Sequence, residues 1–343
     1  MSVRKSEVVR MKLSKIQRSY LYNALAVVVI FVVLYVLQLT GLIGRYYQGI
    51  LLTLLINIVL TVSLNLATGF LGQLTLGHAG FVSVGAYTAA LISLRSGLPE
   101  AVAFPIALVG GGLVAALFGI MIGIPALRLR GDYLAIITLG FGEIIRVVIL
   151  NLKFTGGAGG LNGIPIMTNF PYAYAIAVLT ITVMFLLIRS RHGRAIISIR
   201  EDEIAAESSG INTTYYKLLA FTIAAFFAGV AGGLQAHMLF VIDANKFGFS
   251  YSVDIMVMVV LGGMGSITGS ILAASILTIL PELLRDLAQY RMLIYSILLI
   301  VLMLYRPAGL LGRHELSQKI LGQWAGRLRG KNRTPTTPDS PEA

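Results

Sequence analysis

The chain has 343 residues, of which 57% are hydrophobic and only 12% carry a charge, and its mean hydropathy is +0.84. Soluble domains carry about 25% charged residues, so this composition excludes a soluble enzyme and indicates an integral membrane protein in contact with lipid. The net charge of +12 lies mainly in the two ends and two loops of the chain. This distribution is typical of cytoplasmic segments and argues against a basic face for nucleic acid.

Residue types that carry metal, redox or nucleotide chemistry are scarce. Cysteine is absent, and the four histidines, at positions 78, 192, 237 and 314, lack the spacing of metal ligands. The G-x-x-x-x-G-K-[ST] motif of nucleotide-hydrolysing P-loops does not occur. We therefore expect no metal, no cofactor and no ATPase site in this chain, and no enzyme activity of its own.

Apolar runs of about 20 residues predict an all-α, polytopic membrane protein, since a helix of that length spans a bilayer. Residues 1–20 form a basic segment before the first run, which we expect to be cytoplasmic and uncleaved. The membrane domain covers residues 21–312, and residues 313–343, basic and then rich in Pro and Thr, predict a disordered cytoplasmic tail. The predicted spans are Leu21–Leu39, Ile50–Leu66, Ala79–Leu94, Ala101–Leu127, Tyr133–Leu150, Pro171–Ile188, Tyr216–Phe240, Val253–Met264, Thr268–Leu284 and Met292–Tyr305.

The number of spans depends on the two short runs that "GMGSIT" separates, Val253–Met264 and Thr268–Leu284. If they are separate, the chain has about ten transmembrane helices, some broken or re-entrant, and both termini are cytoplasmic. If they form one broken span, the chain has about nine. Ten helices place 20 of the 27 Lys and Arg residues inside and 6 outside, with Arg146 within a span. Cytoplasmic loops carry an excess of basic residues, so ten is favoured.

Small residues are concentrated in Leu64–Leu91 and in Met258–Ser275, one segment in each half of the chain. Such residues let helices approach closely in lipid, and Gly-interrupted segments in corresponding halves indicate a transport path. Tight helix packing without a pathway role is the alternative. His78 either lines the path or is a neutral imidazole bonded to a neighbouring carbonyl near a helix break. The candidate path residues are Gly72, Gln73, Thr75, Gly77, His78, Gly262, Gly263, Gly265 and Ser266.

Charged residues inside the predicted spans are few. Glu143 and Arg146 are three residues apart, so they share one helix face, and a structural ion pair is favoured over a proton relay. Asp243 and Asp254 fall near predicted outer helix ends, where solvated or capping carboxylates are expected. A transporter driven by protons or sodium would need more ion-binding groups in its spans than this sequence offers.

The longest polar interruption of the membrane domain is the segment of residues 189–215. Within it, "EDEIAAESSG" predicts a short helix with Asp202 as its N-cap and Gly210 as its C-cap. A short charged helix with an Ala-Ala face that projects from a membrane domain is suited to docking into a partner's groove, and a solvated surface loop is the alternative. The candidate coupling residues are Arg200, Glu201, Asp202, Glu203, Ala205, Ala206, Glu207 and Gly210.

The A-A-E-x-x-G core, from Ala205 to Gly210, resembles the EAA-type coupling loop of ABC importer permeases. More narrowly, five motifs resemble the M-type permease family of high-affinity branched-chain amino-acid ABC transporters. In chain order they are "GQLTLGHAGFVSVGAYTAA", "LRLRGDYLAIITLGFGEIIR", "HGRAIISIREDEIAAESSGIN", "VVLGGMGSITGSILAA" and "YRPAGLLG". The resemblance covers about residues 45–312, and the first letter of the EAA pattern is displaced to Glu203.

This resemblance implies a permease subunit in a bacterial cytoplasmic (inner) membrane, forming a heterodimeric channel with an H-type permease. Two cytoplasmic ATP-binding subunits would drive transport, and a periplasmic binding protein would deliver Leu, Ile or Val. ATP binding would then push on Arg200–Gly210 and switch the permease pair between outward- and inward-facing states. Urea or short-chain amide permeases resemble this family closely and stay open as an alternative. A self-sufficient secondary transporter or channel is a second alternative, against which the coupling segment argues.

Overall fold

A computed structural model describes residues 25–41, 44–285, 290–306 and 309–312 of the chain. The predictions for the basic segment 1–20 and for the tail 313–343 therefore lie outside the described residues. The α-helices are α1 Leu25–Leu39, α2 Arg45–Asn65, α3 His78–Arg95, α4 Glu100–Ala126, α5 Asp132–Asn151, α6 Phe170–Arg189, α7 Arg191–Glu201, α8 Glu203–Ser208, α9 Thr213–Ala236, α10 Phe249–Gly262, α11 Ile267–Leu283 and α12 Arg291–Tyr305.

The all-α prediction is confirmed. Within the described ranges, the strands are the two-residue β1, Leu161–Asn162, and β2, Val241–Ile242, which pair antiparallel. Ordinary α-helix also gives way to a π-helix at Leu66–Phe70, directly after α2. There the N–H of Leu71 donates to the carbonyl of Leu66 over 3.1 Å, a bond that spans five residues instead of four.

Helix length separates the apolar helices into two classes. In the part of the chain that the structure describes, five helices are long and apolar enough to cross a membrane, namely Arg45–Phe70 (α2 with its π-helix), Glu100–Ala126, Asp132–Asn151, Phe170–Arg189 and Thr213–Ala236. The 14 residues of α10 rise only about 21 Å, less than the roughly 30 Å of a hydrocarbon core. The chain is a multi-pass membrane protein, but helix length alone does not confirm about ten spans.

Helices α3, α4 and α9 form the tightest packing in the fold, and small residues make it possible. A Cβ on Gly111 of α4 would lie 2.7 Å from the carbonyl oxygen of Gly85 in α3, and a Cβ on Gly229 of α9 would lie 2.8 Å from the carbonyl oxygen of Gly111. Backbones approach this closely only where side chains are absent. The small residues of Leu64–Leu91 therefore serve close helix packing at least in α3.

A second packed group joins α2 to α11 along their length. The Asn57 amide donates to the Thr278 hydroxyl over 2.9 Å. Near the π-helix, Asn65 donates to the carbonyl of Ser266 over 2.9 Å and to the Ser270 hydroxyl over 2.8 Å, and it accepts from the N–H of Gly265 over 2.9 Å. Asn65 therefore ties the end of α2 to the break between α10 and α11.

Helices α3 and α10 begin side by side, since the N–H of Ala79 donates to the Ser252 hydroxyl over 3.1 Å. The predicted ion pair of Glu143 and Arg146 is present, with Nε donating to the carboxylate over 2.7 Å. The Glu143 carboxylate also accepts from the N–H of Phe249 over 2.9 Å, so it stabilises the start of α10. The pair is thus structural, as the spacing of these two residues predicts.

The two outer aspartates differ in role. Asp243 accepts from the N–H of Asn245 over 2.9 Å, which confirms a capping carboxylate. Asp254 lies in the second turn of α10, not at its end, and faces a cavity between helices. Asp254 is therefore not the cap of α10, which begins five residues before it, and its exposed side chain agrees with the solvated alternative.

Candidate functional site

The coupling segment begins with α7, which lies against the membrane domain. Ser190 caps α7 by accepting from the N–H of Gly193 over 3.2 Å, and Ile196 and Ile199 are buried. Apolar burial on one face of α7 fixes the segment to the domain. The charged residues at its end, Arg200 and Glu201, pair with each other over 2.7 Å.

Helix α8 begins at the predicted N-cap, Asp202, and its C-cap is Ser209, one residue before the predicted Gly210. The Asp202 carboxylate accepts from the N–H groups of Ile204 and Ala205 over 2.9 and 3.0 Å. At the other end, Gly210 has φ +81°, a backbone conformation that favours glycine, and nothing lies within 4 Å of a Cβ there. The chain therefore turns sharply into α9, and α8 projects as a short capped helix.

The expected Ala-Ala face does not form, because consecutive helical residues point about 100° apart. Ala206 is buried inside the chain, whereas Ala205 and Glu207 are exposed. Ile204 is 69% exposed and is the large apolar side chain of this surface. The outward surface of α8 therefore presents Ile204 and Ala205, whereas Glu207, although exposed, lines the same cavity as Glu203, four residues before it.

Glu203 faces inward and anchors α8. Its carboxylate accepts from the Lys217 ammonium over 2.8 Å and from the Arg130 guanidinium over 3.3 Å. The Lys217 side chain is only 4% exposed, so removal of its carboxylate partner would leave a buried charge. A cavity of about 360 Å³ beside these groups separates α8 from the C-terminal end of α4.

Arg200 reaches from the end of α7 into both Gly-interrupted segments. Its Nη1 donates to the carbonyl of Gly69 in the π-helix over 2.8 Å. A Cβ on Gly72 would lie 2.6 Å from the Arg200 Cγ, and a Cβ on Gly265 would lie 2.8 Å from Nη1. The Arg200 side chain, 17% exposed, therefore fills a space that two glycines leave free. We name this contact the arginine bridge, formed by Arg200, Gly69, Gly72 and Gly265.

The predicted path residues divide into separate groups. Gly72, Gly265 and Ser266 meet near the arginine bridge and Asn65. Gly262 and Gly263 instead pack under residues 309–312, where the N–H of Leu311 donates to the carbonyl of Gly262 over 3.4 Å.

A third group lies at the start of α3, apart from the arginine bridge. Thr75 is buried, Gln73 is half-buried and its N–H donates to the carbonyl of Ala67 over 3.0 Å, and Gly77 packs against the backbone of Thr138. His78 is buried, and its Nε2 lies 3.0 Å from the Ser63 hydroxyl. The partner of the imidazole is thus a hydroxyl group and not a carbonyl, and in this structure His78 braces α2 against α3.

Sequence reasoning missed Asn65, Lys217 and Ile204 as members of these sites. The sequence could have indicated Asn65 and Lys217, because a polar side chain in or beside an apolar run costs free energy in the membrane unless it has a hydrogen-bond or ion-pair partner. Ile204 is an apolar residue between charges, which indicates an exposed contact residue only once the orientation of α8 is known.

Comparison with known protein families agrees with this arrangement. The family described as branched-chain amino acid transport system / permease component matches residues 46–305. The chain belongs to this family. The match runs from the first turn of α2 to the last residue of α12, so it includes the coupling segment and both Gly-interrupted segments. The chain is accordingly a transport component of the membrane and not a catalytic enzyme.

Individual relatives carry the same description. The LivM permease protein of the high-affinity branched-chain amino acid transport system of Salmonella typhimurium is 41% identical over 292 residues, which is 75% of this chain and 68% of that protein. LivM of Escherichia coli K12 gives the same identity and coverage. LivH of Salmonella typhimurium is 30% identical over 185 residues, 53% of this chain and 60% of that protein. No solved structure matches the chain.

Proposed function

We propose that this chain is the membrane-spanning permease subunit of an ABC importer for branched-chain amino acids. The capped helix α8 carries the proposal, because it combines an inward anchor at Glu203 with an outward surface of Ile204 and Ala205 and an exposed carboxylate at Glu207. An exposed isoleucine on a projecting helix is suited to a partner's groove. The names of the relatives, which specify branched-chain amino acid transport, support Leu, Ile and Val as cargo.

The energy source lies on other subunits in this proposal. Two cytoplasmic ATP-binding subunits dock onto α8 of this chain and onto the equivalent helix of a second, H-type permease. A periplasmic binding protein delivers the amino acid to the outer side of the permease pair. The similarity of the chain to both LivM and LivH proteins supports such a pair, since two related permeases can share one pseudo-symmetric interface.

The proposed topology has ten spans in the bacterial inner membrane, with both termini in the cytoplasm. The alternating directions of ten apolar helices then put the coupling segment inside, together with Arg128 and Arg130. In this topology the outer ends of α2 and α11 lie side by side, where Tyr46 donates to the Glu282 carboxylate. The short helices α10 and α11 cross with the help of the coil segments that flank them.

Affinity capture from detergent tests the proposal. This chain, co-produced with its candidate ATPases and second permease, is captured as wild type and as a double variant, Glu207→Arg with Gly210→Trp. The matched control is Glu100→Arg with Gly163→Trp, which makes the same changes at an exposed glutamate and at a glycine with open space. We expect the double variant to lose the ATPases and keep the second permease, while the control keeps both.

Two results would contradict the proposal. If wild type captures no ATPase even in the presence of trapped ATP, the chain does not work with separate ATPases. If the assembled importer in proteoliposomes takes up urea or acetamide but not leucine, isoleucine or valine, the cargo assignment is wrong.

A further inference from the structure

A cavity of about 400 Å³ lies between α2, α10, α11 and the end of α9. Its size falls within the range of small-molecule sites in proteins, which is roughly 300–1,000 Å³. In the proposed topology it lies toward the outer side, because α9 runs outward from the coupling segment and ends beside it. The cavity residues are Thr53, Ile56, Asn57, Gln235, Met238, Leu239, Tyr251, Asp254, Met258, Leu277 and Pro281.

Asp254 gives this cavity a negative charge. It lies in α10, and its side chain has no hydrogen-bond donor or cation in contact among the residues that the structure describes. Exposing a carboxylate to lipid within the membrane costs roughly several kcal/mol of free energy or more, so such groups face a bundle interior or a water-filled path. The exposed carboxylate of Asp254 lines the cavity, which in the proposed importer opens to the interior of the permease pair, and a cationic group that enters the cavity would find it available.

The remaining polar groups of the cavity supply hydrogen-bond donors. The Asn57 side-chain nitrogen donates one N–H to the Thr278 hydroxyl, and the Gln235 side-chain oxygen accepts from the Tyr251 hydroxyl over 3.1 Å. Each primary amide nitrogen carries two N–H groups. One donor of Asn57 and the nitrogen of Gln235 thus remain for a ligand carboxylate.

The rest of the lining is apolar and adaptable. Met238 and Met258 each accept a weak hydrogen bond from a threonine hydroxyl of α2 at their sulfur atoms. Together with these two methionines, Ile56 and Leu277 form an aliphatic wall of the cavity. Methionine fills irregular spaces and tolerates different ligand shapes, so this wall can accept aliphatic side chains that differ by one methylene or by their branching.

We propose that this cavity is a transit site for a zwitterionic aliphatic amino acid, a proposal that rests on the proposed function. Asp254 binds the α-ammonium group, the amides of Asn57 and Gln235 donate to the carboxylate, and the methionine wall holds the side chain. The site combines charge for the backbone of the amino acid with a tolerant surface for its side chain, which a carrier of Leu, Ile and Val needs. Urea and simple amides lack both the ammonium group and the aliphatic group.

The complete importer in proteoliposomes, supplied with binding protein and ATP, tests this site with photo-leucine, a diazirine analogue of leucine. We expect irradiation during turnover to label Met238, Met258 or their neighbours in wild type. Excess leucine should suppress the label, whereas 4-methylpentanoate, which is leucine without its ammonium group, should not. Asp254→Asn should lower labelling and leucine uptake at least about tenfold, since it removes a charge-assisted hydrogen bond, and Asp254→Glu should restore most of both.

Glu100→Gln is the matched control, because it neutralises an exposed carboxylate away from the cavity, and it should behave as wild type. Capture of the ATPases and basal ATP hydrolysis verify that Asp254→Asn is folded and assembled. If assembled Asp254→Asn imports leucine as wild type does, or if photo-leucine labels only other segments, the transit site is refuted and the proposed function stands. If wild type imports no Leu, Ile or Val, both proposals fail.

Discussion

Replacing Gly72 by alanine tests whether the arginine bridge holds the coupling segment to α2. Gly72 has φ +78°, and a left-handed backbone costs an alanine about 1–2 kcal/mol. Its new Cβ would lie 2.6 Å from the Arg200 Cγ, well inside the ordinary carbon–carbon contact of about 3.5–4.0 Å. The Arg200 side chain must therefore move, and its hydrogen bond to Gly69 must weaken or break.

The structure provides a matched control for the backbone contribution. Gly163 also has φ +78°, but nothing lies within 4 Å of a Cβ there, so Gly163→Ala measures the backbone cost alone. A hydrogen bond from a charged donor contributes about 1.5–3 kcal/mol. We expect Gly72→Ala to lower the free energy of unfolding by about 2.5–5 kcal/mol, and Gly163→Ala to lower it by about 1–2 kcal/mol.

The assay is unfolding by SDS in mixed detergent micelles, followed by circular dichroism, in wild-type and Arg200→Ala backgrounds. In Arg200→Ala only the Cβ of residue 200 remains, 3.3 Å from the new methyl group of residue 72, so the cost of Gly72→Ala should fall to that of Gly163→Ala. The assembled importer should also move fewer amino acids per ATP in Gly72→Ala. Equal costs for Gly72→Ala and Gly163→Ala in the wild-type background would refute the arginine bridge.

Three further predictions use the same unfolding and capture assays. Asp202→Ala removes the cap of α8 and should cost about 1 kcal/mol with weaker ATPase capture; unchanged capture would show that α8 needs no cap to dock. Glu203→Gln should lower the free energy of unfolding by about 3–5 kcal/mol, because it leaves the Lys217 charge buried without its carboxylate partner. Adding Lys217→Met should recover most of this loss, and a double variant that recovers none of it would contradict the ion pair. Gly111→Leu, which meets the α3 backbone, should cost far more than Gly140→Leu, which has open space; similar costs would contradict the close packing.

The sequence predicts the helices well because each is an apolar run of sufficient length. All ten predicted spans correspond to helices in the same order, and the differences lie at the ends. The predicted span Tyr216–Phe240 is observed as Thr213–Ala236, because Asn212 caps it by accepting from the N–H of Tyr215 over 3.0 Å. Caps are local signals, so Asp202 is also correctly predicted as the N-cap of α8, and the predicted C-cap Gly210 lies one residue after the observed one, Ser209.

Such local sequence patterns do not predict which distant segments of the chain contact each other. Arg200 and Gly69 are 131 residues apart in the chain, and no periodicity relates them. The orientation of α8 is equally hidden, because Ala206 is buried only through the position that Glu203 and Lys217 impose. The cavity at Asp254 requires four helices to be placed together before its carboxylate can be recognised as more than a helix-end group.

The arginine bridge explains how one short helix can act on both halves of the membrane domain. Arg200 is the penultimate residue of α7 and lies two residues before Asp202, the cap of α8, so a force on α8 reaches this side chain through only two residues of backbone. The guanidinium group contacts the π-helix after α2 and lies against the break between α10 and α11, which Asn65 already joins. Both segments lead directly into helices that line the cavity of Asp254. In the proposed importer, ATPase docking at α8 therefore alters that cavity without any contact between the ATPases and the amino acid, provided that Arg200 stays in place.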